Sequence, residues 1–350
     1  YANCGLPYYV GGVIKEQEEL TLQTPESFWD RFRIDVRVRQ EVTAIDPTEK
    51  TVTVHALDSG KVYTETYDKL LLAPGAKPTV PALSGVSSER VFTLRTVEDT
   101  LRIRRFVEDQ KPKTAVLAGG GFIGLEMAEN LVEMGASVTI VQRPKQLLAP
   151  LDADMASFVH AEMRRHGVAL RLGETVTGFR QDGDSVLTLL EGSEPLHSDM
   201  VLLAIGVTPD THLAKDAGLR LGIRGSIVVN ERMETSAPDI YAVGDAVEVT
   251  HFVTGQKALI SLAGPANKQG RIAADNICGG NSRFHGSQGS SVLKLFDLTA
   301  ASTGINVETK GKIKVGFAAH GSRGDGFTGV FSEIKYQPKA LDDMRMLSLF

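Results

Sequence analysis

The sequence predicts an α/β fold built on parallel sheets, and three patterns in its 350 residues support this. Residues 114–141 read as a strand, a glycine turn, a helix and a second strand, which is the βαβ unit of a parallel sheet. Residues 68–73 form a continuous apolar run typical of a strand buried on both faces, and residues 240–243 predict another buried strand. Residues 34–67 instead alternate β-branched and polar side chains and predict an antiparallel meander.

Composition restricts the class of protein. With 42% hydrophobic and 23% charged residues, the chain can form two or three globular domains. The net charge of -5 and the lack of a basic run disfavour a nucleic-acid partner, and no apolar run is long enough for a membrane span. Without a signal-peptide pattern, we expect a cytoplasmic protein. Because the chain begins at Tyr1 rather than methionine, we expect its natural start to lie upstream.

The predicted elements follow one another along the whole chain. The meander strands are residues 34–45, 51–57 and 62–67, and Pro78 and Pro81 mark a crossing between domains. The βαβ unit has its helix at 122–134 and its second strand at 137–141. Beyond it we expect a helix at 153–166, strands at 168–172, 186–190, 200–205 and 240–243, and a helix at 265–278.

The strongest local motif is the glycine turn of this βαβ unit. Gly119, Gly121 and Gly124 form a G-x-G-x-x-G pattern that follows a strand and opens a helix at Phe122 and Ile123. These glycines permit a tight turn, close approach of backbone N–H groups to a pyrophosphate, and close packing of helix on strand. The alternative is a plain glycine turn, but the complete βαβ context favours dinucleotide binding.

The end of the second strand lacks the acid that would bind the ribose 2′-hydroxyl of NAD. Gln142 and Arg143 follow Val141 there. A neutral side chain beside an arginine removes the repulsion against a 2′-phosphate, so NADPH is predicted as a usable cofactor alongside NADH.

A second motif lies at residues 235–246, where a buried strand ends in Gly244 and Asp245. Alone, Asp245 could be only a helix cap. The string resembles the second FAD-binding motif of two-dinucleotide-binding-domain flavoproteins, and residues 68–75, ending in Pro74 and Gly75, resemble the link between their FAD and NAD domains. The resemblance implies Rossmann-like FAD and NAD(P) domains in three layers, with Asp245 bonded to the flavin ribitol.

The third motif, residues 1–12, contains Cys4, and Tyr9 stands where a dithiol enzyme would carry its second cysteine. This stretch resembles the active-site segment of coenzyme A disulfide reductases and NADH-dependent persulfide reductases, in the single-cysteine branch of the pyridine nucleotide-disulfide oxidoreductases. NADH oxidases and peroxidases are also similar. The resemblance implies a catalytic Cys4, although free cysteine is often a small buried hydrophobe. We interpret Cys278 as structural.

Further site residues are implied by the same resemblance. Asn3 and Tyr8 would shape the substrate pocket, and Arg31 and Arg33, after a predicted turn at residues 25–28, would bind coenzyme A phosphates or merely form a solvated face. Glu126, assigned to the first helical turn, would either approach nicotinamide and flavin or complement the helix dipole. The remaining predicted contacts are Phe122 as a gate over the flavin, Gly206, and Ala263, Pro265 and Asn267 in the flavin-side segment 262–271. The histidines show no metal spacing.

The resemblance covers residues 1–305 and implies four segments. They are a partial FAD-binding domain (1–110), an NAD(P)-binding domain (111–235), a second FAD-binding part (236–285) and an incomplete α+β interface domain (286–350). Residues 306–350 resemble nothing in the family, whose interface domain forms a homodimer and supplies active-site tyrosines. Tyr336 is the only tyrosine after Tyr241 and stands in the wrong context. Only one glycine turn is present, so we expect the chain alone to hold FAD poorly and NAD(P)H weakly.

The predicted function is reduction of coenzyme A disulfide, or of a persulfide or polysulfide, by NAD(P)H through FAD and Cys4. A first alternative is an NADH oxidase or peroxidase that uses a cysteine sulfenate. A second alternative is an inactive nucleotide-binding fragment.

Overall fold

The structure, a computed structural model, describes residues 1 and 3–306 and the backbone of residues 314–320 and 329–331. Its helices are α1 Leu6–Val10, α2 Pro25–Phe32, α3 Val97–Gln110, α4 Phe122–Glu133, α5 Ala153–Arg165, α6 His212–Asp216 and α7 Ala263–Ile277. Its strands are β1 Gln40–Asp46, β2 Thr51–Ala56, β3 Val62–Thr66, β4 Leu70–Leu72, β5 Ala76–Pro78, β6 Val91–Thr93, β7 Thr114–Ala118, β8 Ser137–Gln142, β9 Ala169–Leu172, β10 Val176–Asp182, β11 Ser185–Leu190, β12 Ser193–Ser198, β13 Met200–Leu203, β14 Val207–Pro209, β15 Ile240–Ala242, β16 Val249–Thr250, β17 Lys257–Ala258, β18 Ser291–Leu295, β19 Leu298–Gly304, β20 Lys314–His320 and β21 Gly329–Phe331.

The centre of the fold is a parallel sheet with strand order β6-β13-β7-β8-β9. One face packs on helices, and Leu117, Ile140 and Leu202 there are fully buried with residues of α3, α4 and α5. The antiparallel sheet β10-β11-β12 covers the other face, where Phe179 and Val186 join the core. The α/β prediction is therefore confirmed, with β7-α4-β8 as its βαβ unit.

A second core surrounds the two-stranded parallel sheet of β4 and β15. Ile240 and Ala242 of β15 are fully buried, but Leu71 of β4 is 39% exposed. The prediction that residues 68–73 form a strand buried on both faces is wrong, because Leu70 and Leu72 on the other face are only half-buried.

The meander β1-β2-β3 is antiparallel, as predicted. Its first strand begins at Gln40 rather than at residue 34, because Arg39 adopts a left-handed conformation with φ of 56° that interrupts an extended chain.

Residues of the predicted NAD(P)-binding segment 111–235 belong to different hydrophobic cores. Residues 111–203 pack in the helix-covered and sheet-covered cores of the central sheet, whereas Ala214, Ile227 and Val229 pack with β15. The boundaries at residues 110, 235 and 285 stay a prediction.

Four helices, α1, α2, α3 and α6, lie where none was predicted, and two of them begin with a capping box. The expected turn at residues 25–28 is the start of α2, because Thr24 and Ser27 exchange hydrogen bonds as a capping box around a proline in the first turn. In α3 the same arrangement links Thr96 and Asp99. Both capping boxes are visible in the sequence and could have located these helices.

The C-terminal hairpin of β18 and β19 packs onto the central domain. The Phe296 N–H donates to Glu129 Oε1 on α4 at 2.9 Å, and the Asp297 N–H donates to Glu162 Oε1 on α5 at 3.1 Å. Strands β20 and β21 extend this hairpin into an antiparallel sheet. Tyr336 lies outside the described residues.

None of the helices in the described part of the chain combines the length and the apolar character that crossing a bilayer requires.

Candidate active site

Cys4 lies in the short helical turn Asn3–Gly5 that runs directly into α1. Its side chain and that of Asn3 are exposed, while Leu6 and Val10 of α1 are buried in the central core. The alternative of a small buried hydrophobe is therefore wrong for Cys4. Cys278, interpreted as structural, is also exposed and fills no core position.

The segment that carries Cys4 is fixed to two helices of the central domain. Arg104 of α3 donates to the carbonyl oxygens of Tyr9 and Val10 at 3.1 and 3.2 Å. On the other side Gly11 lies against Asn130 of α4, where a β-carbon at residue 11 would come within 1.9 Å of the Asn130 Oδ1. These contacts hold Cys4 in place relative to the nucleotide-binding unit.

Tyr8 is half-buried one helical turn after Cys4. Burial raises the pKa of its hydroxyl to about 12, and the nearby charges of Glu126, Glu129 and Cys4 act in the same direction. The Tyr8 side chain therefore stays a neutral hydroxyl that can donate a hydrogen bond. This placement suits the predicted role of Tyr8 beside the substrate.

Glu126 lies in the second turn of α4, not in the first turn as predicted, since the helix begins at Phe122. The proposed interaction with the helix dipole is thus weakened, because that effect fades beyond the first turn. Burial raises the pKa of Glu126 to about 7, with Glu129 as the second cause. Among the described residues, no hydrogen bond or ion pair holds its carboxylate.

The glycine turn between β7 and α4 opens onto a cavity of about 620 Å³. Gly119 has a φ of 118°, and a β-carbon there would come within 2.2 Å of the Ala204 carbonyl oxygen. A β-carbon at Gly124 would come within 2.1 Å of the Gly119 carbonyl oxygen. The predicted glycines therefore form the tight turn that their spacing indicates. The cavity lining includes the predicted residues Gly119, Gly121, Phe122, Gln142, Arg143 and Gly206.

Gln142 closes the turn from the neighbouring strand. Its Oε1 accepts from the Gly120 N–H at 2.9 Å, and its amide nitrogen lies 3.4 Å from the Gln146 carbonyl oxygen. Arg143 is exposed at the mouth of the cavity, and Arg224 lines the same space. Two arginines thus line a cavity in which Gln142, the residue at the end of β8, carries no charge.

A second site forms where β4 and β15 end side by side. Because these strands are parallel, Pro74-Gly75 and Gly244-Asp245 meet at one edge. Arg95 connects them, since its guanidinium donates to the Ala76 carbonyl oxygen at 2.8 Å and to Asp245 Oδ2 at 3.3 Å. The sequence analysis missed Arg95, which belongs to no motif.

Helix α7 lies against the Gly244-Asp245 turn. Gln269 Oε1 accepts from the Gly244 N–H at 2.7 Å, and Gly244 has a φ of 81°. Near the start of α7, Ala263 and Asn267 are exposed and Pro265 is half-buried. The segment 262–271 therefore adjoins the Asp245 turn, as the resemblance implied, while the roles of its residues stay predictions.

Arg31 and Arg33 lie at the end of α2, which buries none of its residues. The guanidinium groups stand over the rings of Phe32 and Trp29 at 5.0 and 5.8 Å. No hydrogen bond or ion pair of the described residues joins either arginine to Cys4 or Tyr8. Phosphate binding by these arginines stays a prediction.

One cluster has ligand types that metals accept. Single atoms of Glu162, His166 and Asp297 lie within 4.8 Å of one another. Arg165 Nη2 lies 2.9 Å from Glu162 Oε1 and 2.9 Å from Asp297 Oδ2. The guanidinium supplies the positive charge that a metal ion would supply, so the cluster is an ion-pair network.

The side chains and backbone groups of the two sites suit NAD(P)H in the cavity and FAD at the Asp245 turn. The cavity combines a glycine turn, a helix N-terminus and two arginines, which suits a dinucleotide pyrophosphate and its adenosine phosphate. The second site offers the Asp245 carboxylate and the positive-φ Gly244 at the end of a parallel strand, which suits polyol hydroxyls and phosphates of FAD.

Comparison with known proteins agrees with this geometry. Residues 1–270 match the model of the pyridine nucleotide-disulphide oxidoreductase family. The chain is 37% identical over 307 residues to an NAD(P)H sulfur oxidoreductase (CoA-dependent) of Pyrococcus abyssi, covering 87% of this chain and 67% of that protein. It is 33% identical over 309 residues to a coenzyme A disulfide reductase of Staphylococcus haemolyticus, covering 88% of this chain and 69% of that protein.

A solved structure from Bacillus anthracis, reduced CoADR-RHD, superimposes with a TM-score of 0.85 at 48% identity. The match covers 88% of this chain but only 56% of the solved chain, so the present chain spans little more than half of that protein. The chain therefore belongs to the pyridine nucleotide-disulphide oxidoreductase family.

Proposed function

We propose that this chain is the catalytic part of an FAD-dependent NAD(P)H oxidoreductase that reduces coenzyme A disulfide, or a persulfide or polysulfide, through Cys4. The observation that carries the proposal is the placement of Cys4, an exposed lone thiol on a segment fixed against the nucleotide-binding helix α4. The names of the similar proteins, an NAD(P)H sulfur oxidoreductase and a coenzyme A disulfide reductase, support the same substrate class.

The lone cysteine determines the chemistry. With Tyr9 five positions after Cys4, no second thiol of this segment can form an internal disulfide. The Cys4 thiolate would attack one sulfur of the substrate, forming a Cys4–substrate disulfide and breaking the substrate's own sulfur–sulfur bond. One thiolate then leaves, and reduction of the mixed disulfide releases the second product and restores Cys4.

The nucleotide site supplies the reductant. Bound NAD(P)H and FAD would provide the two electrons for this reduction. The chain's own residues would hold them, with Gly119, Gly121 and the start of α4 at the pyrophosphate and Asp245 at the flavin side. Asn3, Tyr8, Arg31, Arg33 and Asn267 are proposed for the substrate, and a cytoplasmic homodimer is proposed from the resemblance and composition.

The test is to replace Cys4→Ser and to measure disulfide or persulfide reduction and anaerobic flavin reduction separately. We expect substrate turnover to vanish while NAD(P)H still reduces the flavin, because hydride transfer does not need the thiol. Cys278→Ser, at the other exposed cysteine, is the matched control and should retain activity. Normal turnover of coenzyme A disulfide in the Cys4 variant contradicts the proposal. Products of oxygen or peroxide reduction instead of free thiol would indicate the oxidase chemistry.

A further inference from the structure

One wall of the nucleotide cavity is a loop that follows β8. Residues 143–151, the cavity loop, lie between β8 and α5 and contain no helix or strand. Arg143, Leu148 and Ala149 of this loop line the cavity. The position of that wall therefore depends on the groups that hold the loop.

The cavity loop packs on the glycine turn at Gly120. Leu147 is fully buried, and a β-carbon at Gly120 would come within 2.3 Å of the Leu147 Cδ2. The next residue, Leu148, donates its N–H to the Gly120 carbonyl oxygen at 2.9 Å. Movement of Leu147 would therefore separate the loop from the turn that lines the cavity.

His160 of α5 fixes Leu147 in this position. The Leu147 N–H donates to His160 Nε2 at 3.0 Å. Only a neutral imidazole with its proton on Nδ1 can accept at Nε2, so protonation of the ring turns the acceptor into a second donor. Asn306 also holds the loop, since its amide nitrogen donates to the Ala149 carbonyl oxygen at 2.8 Å. The imidazole contact depends on pH, whereas the amide contact does not.

The surroundings of His160 favour the neutral imidazole. Burial lowers its pKa below the usual value of 6.5, and the charge of Arg164, one turn further along α5, acts in the same direction. Other charged or titratable side chains on α5, on the cavity loop and on the elements packed against α5 include Asp152, Asp154, Glu162, Arg165, His166, Arg143, Lys145, Arg171, Lys294 and Asp297. Arg143 and Lys145 are exposed, and Arg171, Lys294 and Asp297 each pair with another charged side chain. His160 is therefore an acceptor at neutral pH.

We propose that His160 is a positioning residue for NAD(P)H, whose neutral imidazole holds the cavity loop against the glycine turn and whose protonation weakens coenzyme binding. This inference rests on the proposed function, in which the cavity binds the reductant. His160 does not itself line the cavity and acts through Leu147. Its loss should therefore change the affinity for the coenzyme and not the rate of hydride transfer.

Binding of oxidised NAD⁺ to the flavin-loaded protein tests this inference without turnover. Calorimetry gives the Kd at each pH, and NAD⁺ lacks the 2′-phosphate, a group that would itself titrate at a pH of about 6. We expect the Kd to be constant above pH 7 and to rise as pH falls below 6.5, by about 3- to 10-fold, as for one hydrogen bond. A Kd that does not change on acidification overturns the proposal.

Variants at residue 160 separate the imidazole from other titrating groups. His160→Gln offers an acceptor oxygen that does not titrate, so its Kd should match the wild type at neutral pH and stay constant on acidification. His160→Leu has no acceptor and should raise the Kd about 3- to 10-fold at every pH. His197→Gln, at an exposed histidine on β12, is the matched control and should keep the wild-type profile. If the His160→Gln variant loses affinity on acidification as the wild type does, another group titrates and the proposal is wrong.

Flavin reduction by NADH distinguishes positioning from a general structural defect. In His160→Leu the NADH concentration for half-maximal flavin reduction should rise while the limiting rate stays unchanged. A lower limiting rate with unchanged half-saturation contradicts a positioning role. If His160→Leu does not fold, the profiles of the wild type and of His160→Gln still decide.

The two proposals fail in different ways. If no disulfide or persulfide is turned over while NAD⁺ binding shows the expected dependence on His160, the proposed function is wrong. If turnover is normal and NAD⁺ binding is the same in the wild type, His160→Gln and His160→Leu at every pH, the role of His160 is wrong and the function stands.

Discussion

At the scale of single residues, coenzyme preference depends on the uncharged end of β8. Gln142→Glu would place a carboxylate at the ribose while its oxygen could still accept from the Gly120 N–H. We expect the wild type to use NADPH at least as well as NADH, and the variant to shift toward NADH because a 2′-phosphate is then repelled. The measurement is kcat/KM for both coenzymes. A wild type that strongly prefers NADH, with an unchanged variant, would refute this.

Glu126 also makes stability depend on pH. Its pKa is raised to about 7 in the folded protein, so its contribution is fully present below its unfolded value of about 4.5 and is lost as pH rises through 7. The free energy of unfolding of the wild type should therefore fall over this window relative to Glu126→Gln, by about 1.4 kcal/mol for each unit of pKa shift. Denaturant titrations at several pH values measure it. If the free energy of unfolding changes with pH in the same way in both proteins, burial does not raise the pKa of Glu126.

Residue-level reasoning from the sequence was most successful where backbone geometry alone determines the role. The spacing of Gly119, Gly121 and Gly124 specifies a turn, and the turn is present. Arg95 and Glu129 were missed because their roles come from contacts with Asp245 and Phe296, which lie 150 and 167 positions away along the chain. A local pattern contains no information about such partners.

At the scale of elements, the fit of α1 against α4 controls the position of Cys4. Gly11→Ala would press a β-carbon onto Asn130, which is 1% exposed and whose amide nitrogen already donates to the Glu126 carbonyl oxygen. We expect a loss of about 1–3 kcal/mol in stability, as for other overpacked cores. The measurement is the denaturation midpoint.

The matched control is Gly270→Ala in α7, where a β-carbon meets nothing within 4 Å. That change should be neutral or stabilising by about 0.5–1 kcal/mol, because alanine favours a helix interior over glycine. Equal effects of the two substitutions would mean that crowding at Asn130 does not limit the packing of α1.

The elements of the βαβ unit were predicted to within a few residues, whereas helices α2 and α3, which begin with capping boxes, were missed. Helix α4 and strands β7 and β8 follow their apolar pattern closely. Helix α2 is short and buries no residue, although Phe28, Trp29 and Phe32 recur at helical spacing, and a capping box marks its start. The exposed face of β4 depends on which strands surround it, which its own apolar sequence does not specify.

At the scale of the whole molecule, a buried hydrogen bond attaches the C-terminal hairpin to the nucleotide-binding domain. Glu129→Ala removes the acceptor of the Phe296 N–H and leaves it unpaired in the core, at a cost of about 1–3 kcal/mol. Glu129→Gln keeps an acceptor oxygen and should be nearly neutral. Hydrogen exchange at the Phe296 amide should accelerate in the alanine variant only. If both variants exchange alike, the hairpin is held by its apolar contacts rather than by Glu129.

The order of features along α4 has a consequence for protein engineering. Its first turn opens on the nucleotide cavity, its second carries Glu126, and its third carries Glu129 and Asn130, which reach the hairpin and the cysteine segment. One inserted or deleted residue would rotate everything after it by about 100° and separate these contacts at once. Chimaeras that exchange nucleotide-binding units between relatives should therefore be joined outside residues 119–130, with the length of that stretch kept constant.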